Sequence, residues 1–250
     1  TYINQYLLRH SLLSSALIQL RTIVRAFTRL FARLDCLVNL GFSLWDSHPL
    51  SAFAVFKSID DFKQDYTIIR LDENNISQYI DFPDFIWAKK KNKEFKHAFF
   101  ADLIRLALLD VYGGIWMDAT ILLTGPIPDE IKNSNLFMYQ RTKNASNKEF
   151  WNKFNHDYFC WDLDSKVNIL NSFIVAKPKQ ENLHKCLDLL MNFWKTQNTI
   201  PHYFFFQIMF NELILRDRFQ LLPILDDTLP HLYQIYYIQE KDLELATQNN

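Results

Sequence analysis

Between residues 98 and 118 an apolar helix pattern runs into two adjacent glycines and then directly into an apolar strand that ends on an acid. Phe99, Leu103, Leu106, Leu109 and Val111 recur at helical spacing and supply one apolar face. Gly113 and Gly114 end that helix, because glycine readily takes the left-handed conformation found at helix C-termini. Ile115, Trp116 and Met117 then read as a buried strand, and Asp118 follows them. A helix that switches to a strand in this way is a unit of an α/β sheet.

The same alternation extends along the rest of the chain. The pattern predicts strands over 41–45, 66–71, 115–117, 120–123, 136–140 and 172–176, and helices over 49–62, 98–112, 181–194 and 203–215. Before it, residues 1–40 lack Pro and Gly, and Leu17, Leu20, Val24, Phe27, Phe31 and Leu34 fall at helical spacing. Arg21, Arg25, Arg29 and Arg33 repeat every four residues, so they stack along a stripe of that helix. Such a helix either lies in an anionic membrane interface or packs on its own domain with a solvated basic face. The arginines interrupt every long apolar run there, and none reaches the roughly 20 residues that span a bilayer. The expected organisation is an amphipathic helical extension over 1–40 and one domain over 41–250.

Composition narrows the function. A chain of 250 residues that is 49% hydrophobic can enclose a sizeable core. Its formal net charge of -1 provides no global field for nucleic acid. Three cysteines, Cys36, Cys160 and Cys186, argue against a disulfide framework and for a reducing compartment.

The chemistry concentrates in residues 97–124. Asp118 stands beside Ile115, Trp116 and Met117, where a carboxylate is costly unless its charge is compensated. It either caps a turn or meets a divalent cation such as Mg²⁺ or Mn²⁺, which takes one or two carboxylates alongside substrate phosphates. Asp102 and Arg105, three apart on one helical face, form an intrahelical ion pair or point together into a cleft.

The string A-D-x-x-R, an apolar helix, and then Y-G-G-I-W-x-D-A-T resembles the signature of the capsular polysaccharide synthesis family, relatives of the DXD-containing sugar transferases. The resemblance extends over roughly residues 40–235. It implies a GT-A fold, a Rossmann-like domain for a nucleotide-sugar donor, and a metal-assisted, retaining hexosyl transfer to a capsular or other glycan or to a lipid-linked saccharide. Mn²⁺ or Mg²⁺ is the implied cofactor, and the inner face of the membrane the implied location. By matching position Asp118 is the metal-binding first acid of the DXD motif, and with Asp102 and Arg105 it forms the implied catalytic set. Asp102, Arg105, Gly114 and Thr120 are implied donor contacts, with Trp45 near the base.

The sequence departs from the family pattern at two places. Thr120 stands where a DXD motif has its second acid, and a hydroxyl does not match a carboxylate's charge. His231 is therefore a candidate further metal ligand, against the reading that it is a surface histidine. His202 replaces an acid that the family often has before Tyr-Phe. The substitution at Thr120 also leaves a second reading, a non-catalytic scaffold that keeps the fold.

Overall fold

The computed structural model of the chain describes residues 36–40, 49–217 and 221–231, and side chains over 54–213 and 221–231. The elements are β1 (Cys36–Leu40), α1 (Pro49–Phe62), β2 (Thr67–Leu71), α2 (Asp84–Lys90), α3 (His97–Tyr112) and β3 (Gly114–Asp118). They continue with α4 (Asp129–Lys132), β4 (Leu136–Gln140), α5 (Lys148–Phe154), β5 (Ile169–Ala176), α6 (Glu181–Thr196) and α7 (Phe205–Asp217). Short 3-10 turns lie at Ile76–Gln78 and Leu229–His231.

The five strands form one mixed sheet in the order β2-β1-β3-β5-β4. β1 runs parallel to both β2 and β3, whereas β5 is antiparallel to β3 and to β4. The chain therefore leaves β1 for one side of the sheet and returns to its other side at β3. In open α/β sheets that reversal opens a crevice at the carboxyl ends of the strands, and ligands bind there. Asp118 is the last residue of β3 and pairs with Leu40, the last residue of β1.

Side-chain alternation along β3 assigns its two faces. Ile115 and Met117 pack with Val55 and Ile59 of α1, Phe137 of β4 and Phe173 of β5. Trp116, on the other face, packs among the apolar residues of α3, α6 and α7. Leu103, Leu106 and Leu109 are completely buried in that layer. Each contributes on the order of 1.5–3 kcal/mol relative to an exposed side chain. Asp118 shares the parity of Trp116 and so faces α3 rather than α1.

The junction between α3 and β3 depends on Gly113. It has φ +67°, and its amide donates to the Leu109 carbonyl at 2.9 Å, which closes the helix. A β-carbon there would stand 2.6 Å from Cδ of Pro178, so a side chain is excluded by space as well as by backbone conformation.

Several sequence expectations are corrected. A strand that the sequence reading does not contain lies at Cys36–Leu40, and the strand expected over 41–45 falls outside the described residues. Residues 120–123 form no strand. The Ile121 amide turns back to the Asp118 carbonyl at 3.0 Å, and the Leu123 amide donates to Ser58 Oγ on α1 at 3.0 Å. Ile121, Leu122 and Leu123 pack against the α1 layer instead of joining the sheet. The short helices α2 and α5 carry too few turns to show a period, and the sequence reading passed over both. The arginine-striped segment over 1–35 also lies outside the described residues. Among the described residues no helix is long and apolar enough to cross a membrane.

Candidate functional site

Side chains of two elements, β3 and α3, converge on Asp118. Trp116, two residues earlier on the same strand face, donates its indole N–H to Asp118 Oδ1 at 2.7 Å. Arg105 of α3 places Nη2 3.5 Å from the same oxygen. Among the described residues Oδ2 takes no hydrogen bond or ion pair, and the side chain is 31% exposed. The carboxylate is thus oriented through one oxygen by an indole and a cation, while its other oxygen remains available. No backbone amide of the described residues occupies it.

Arg105 is buried and saturated. Its side chain is 4% exposed and lies 3.6 Å from Asp102 Oδ1. Nη1 donates to the Asn171 carbonyl at 2.5 Å, Nε donates to the Ala101 carbonyl at 3.3 Å, and the guanidinium carbon stands 5.5 Å from the Trp116 ring centroid. Asn171 of β5 also donates from Nδ2 to Asp102 Oδ1 at 3.0 Å. Asp102 and Arg105 are therefore neither a solvated helical ion pair nor a pair open to a cleft. They form an internal cluster that joins α3 to β3 and β5.

One guanidinium serving two carboxylates leaves a net negative charge when both acids are ionised. Burial of Asp102 pushes its carboxyl up to about 7; Arg105 opposes the shift, the Asp118 charge adds to it and the Asn171 hydrogen bond opposes it. The raised value fixes the sign of a stability effect. The folded protein retains a proton that the unfolded chain releases near pH 4, so stability from this group is full below that pH and is lost as the pH rises to 7. Asp102→Asn is expected to abolish this fall, which is on the order of 4 kcal/mol. Denaturant unfolding of both proteins at pH 4, 5.5 and 7 measures it; a constant difference between them would mean that Asp102 is ionised throughout.

Beyond the end of β3 lies a cleft of about 540 Å³. Thr120, Tyr139, Ser172, Phe173, Leu229 and His231 are among its lining residues. Asp118 is not one of them, and the cleft begins two residues further along the chain, at Thr120. The structure thus brings Thr120 and His231 to one cleft. The His231 ring also packs against Phe159, Tyr158 and Trp151, with centroids 5.2, 5.9 and 6.1 Å away. Gly114 is not brought to this place. It opens β3 at the end opposite Asp118, about 13 Å away at the usual strand rise. Trp45 lies outside the described residues.

The far wall of the cleft is carried by residues 221–231, which dock on the end of β4. Gln140 receives the Asp227 amide at 3.1 Å and donates its own amide to the Leu225 carbonyl at 2.9 Å. Arg141 then grips Asp227 through two bonds of 2.7 Å, Nε to Oδ1 and Nη2 to Oδ2. Its Nη1 reaches the carbonyls of Tyr158 and Cys160 at 3.0 and 3.2 Å. Sequence reasoning missed Trp116, Asn171, Arg141 and Asp227. The i, i+2 spacing of Trp116 and Asp118 on one strand was the sole local signal; the other pairings join residues far apart in the chain.

The fold and site together define an α/β protein whose oriented, half-exposed carboxylate stands at the carboxyl edge of parallel strands beside a cleft. The sequence profile described as capsular polysaccharide synthesis protein matches residues 45–249, and the chain belongs to that family. No curated protein matches the chain. Among solved structures it is similar to one titled PaToxG Glycosyltransferase, at 15% identity and a TM-score of 0.41, over 93% of this chain and 86% of that one. At that TM-score the likeness adds no argument of its own.

Proposed function

We propose that the protein is a metal-assisted glycosyltransferase that takes a nucleotide-sugar donor and passes the sugar to a capsular or other surface glycan, or to its lipid-linked precursor, at the inner face of the membrane. The observation that carries the reading is Asp118, with one oxygen fixed by Trp116 and Arg105 and the other unengaged by any described residue, at the strand edge where α/β sheets bind ligands. A GT-A arrangement of the domain and retention of anomeric configuration belong to the same proposal.

The side chains suit a hard cation in part. One carboxylate oxygen with substrate phosphates is a usual Mg²⁺ set, and the Thr120 hydroxyl and His231 imidazole lie on the adjoining cleft. Asp118 would hold the ion, with His231 as a further ligand. Bound there, Mn²⁺ or Mg²⁺ supplies Lewis-acid neutralisation of the departing diphosphate. The residues of the chain do the rest. Trp116 and Arg105 keep Asp118 from rotating, so its charge is organised before the donor arrives. Arg105 and Asp102 act on the donor through that orientation, since both are buried. Thr120 and Ser172 offer hydroxyls to the sugar or acceptor, and Tyr139 and Phe173 offer ring faces to it.

The test is calorimetric titration with a panel of nucleotide-sugars, with and without Mn²⁺, followed by a donor-hydrolysis assay. Metal-dependent binding of at least one donor, together with its hydrolysis, is expected. The non-catalytic reading is favoured by the hydroxyl of Thr120 in place of a second acid. Absence of any metal-dependent donor binding would support it and remove the catalytic reading.

A further inference from the structure

Away from that site, three side chains of different chemistry point at one another in the connection between α5 and β5. They are the imidazole of His156, the thiol of Cys160 and the carboxylate of Asp162, whose candidate ligand atoms all lie within 4.8 Å of one another. We infer that His156, Cys160 and Asp162 form a binding site for a zinc-type transition metal, with water as a fourth ligand.

The donor set specifies the ion. A thiolate with an imidazole and one carboxylate suits a borderline-soft ion of tetrahedral habit, whereas Mg²⁺ and Mn²⁺ prefer oxygen. In a tetrahedral zinc site the ligand atoms stand roughly 3.3–3.8 Å apart, given bond lengths of about 2.0–2.3 Å. The three groups therefore need to close by no more than about 1.5 Å, within the reach of side-chain rotation. His156 and Asp162 are exposed and Cys160 is half-buried, which leaves an entry path and room for water. On binding, the Cys160 thiol releases its proton to solvent and coordinates as thiolate, so occupancy rises with pH.

The surroundings give such an ion a structural task. Residues 155–168 contain no helix or strand, a connection well beyond the usual 4–6 residues. The backbone of this connection is already held from one side, by Arg141 Nη1 on the Tyr158 and Cys160 carbonyls. A metal on His156, Cys160 and Asp162 closes it from the other side. Tyr158 and Phe159 lie between those ligands in the chain, and their rings pack on His231 at the cleft wall. The site would therefore stiffen the support of that wall without entering the cleft.

The experiment uses the full chain, stripped with chelator and titrated with Zn²⁺ against a chromogenic competitor, then with Co²⁺ as a spectroscopic substitute. One equivalent of Zn²⁺ and a thiolate-to-cobalt charge-transfer absorption are expected, and excess Mn²⁺ should displace neither. Cys160→Ser should abolish the absorption, and both Cys160→Ser and His156→Ala should weaken Zn²⁺ binding by at least about 100-fold. His202→Ala, at an exposed histidine elsewhere, should bind as the parent does. All three substitutions lie outside the buried core, and circular dichroism verifies that each variant folds. Absence of the absorption in the parent protein, or its survival in Cys160→Ser, would overturn the assignment.

Discussion

Asp118→Asn is expected to reduce both sugar transfer and donor hydrolysis by about 10³-fold, the loss seen when one fixed electrostatic stabiliser of a developing charge is removed. The substitution is nearly isosteric, and the amide oxygen still accepts the indole N–H of Trp116, now bonded at 2.7 Å. Stability should therefore change little, which separates a chemical effect from unfolding. What the variant loses is charge and, on the proposed function, the ability to hold a divalent ion against a diphosphate. Kinetics across a range of Mn²⁺ concentrations check the point. If added metal restored the parent rate, Asp118 would be one weak ligand among several; if the rate never fell, the assignment of the site to this carboxylate would be wrong.

Asp227→Ala has the largest expected effect on stability, about 3–5 kcal/mol, because it leaves a buried guanidinium without its counter-charge. Arg141 and Asp227 have side chains only 3% and 0% exposed, and two bonds of 2.7 Å join them. In a protein of this size the loss corresponds to a fall in Tm on the order of 10 °C. Replacing both partners with apolar residues of similar volume should cost less than the single change, since no charge is then stranded. Urea unfolding of the parent, Asp227→Ala and the double variant measures the difference. A single substitution as mild as the double would show that water reaches Arg141 and screens it.

The sequence made the framework readable where side-chain period and chain punctuation agree. α3, β3, β4 and α6 fall within a residue or two of their expected bounds, because an apolar face stopped by Gly113 and Gly114, or a run such as residues 136–140, has no competing interpretation. Residues 120–123 show the opposite case. Their apolar content looked like a strand, but the amides are claimed by Asp118 and Ser58, so the same burial is reached as a loop over α1. β1 was missed because the apolar run over 36–40 continues the helical period of the preceding residues, and only pairing with β2 and β3 marks it as a strand.

The position of Asp118 at a strand end was legible in the sequence. Its supports were not. Asn171 reaches Asp102, and Asp227 reaches Arg141, from residues brought near only by the antiparallel return of β5 and by the docking of residues 221–231. Asp102 and Arg105 share a helical face, as their spacing requires, yet nothing in that spacing shows that the face is turned inward against Trp116.

The stretches that line the cleft are separate from the strand that carries the charge. Asp118 stands on β3, whereas the lining comes from the loop that follows, from β4 and β5, and from residues 221–231, latched on by the Arg141–Asp227 ion pair and the backbone bonds to Gln140. Exchange of residues within that latched stretch can reshape what is admitted while Trp116 and Arg105 keep the carboxylate in register. Selectivity and chemistry can thus drift independently, because they rest on different stretches of the chain.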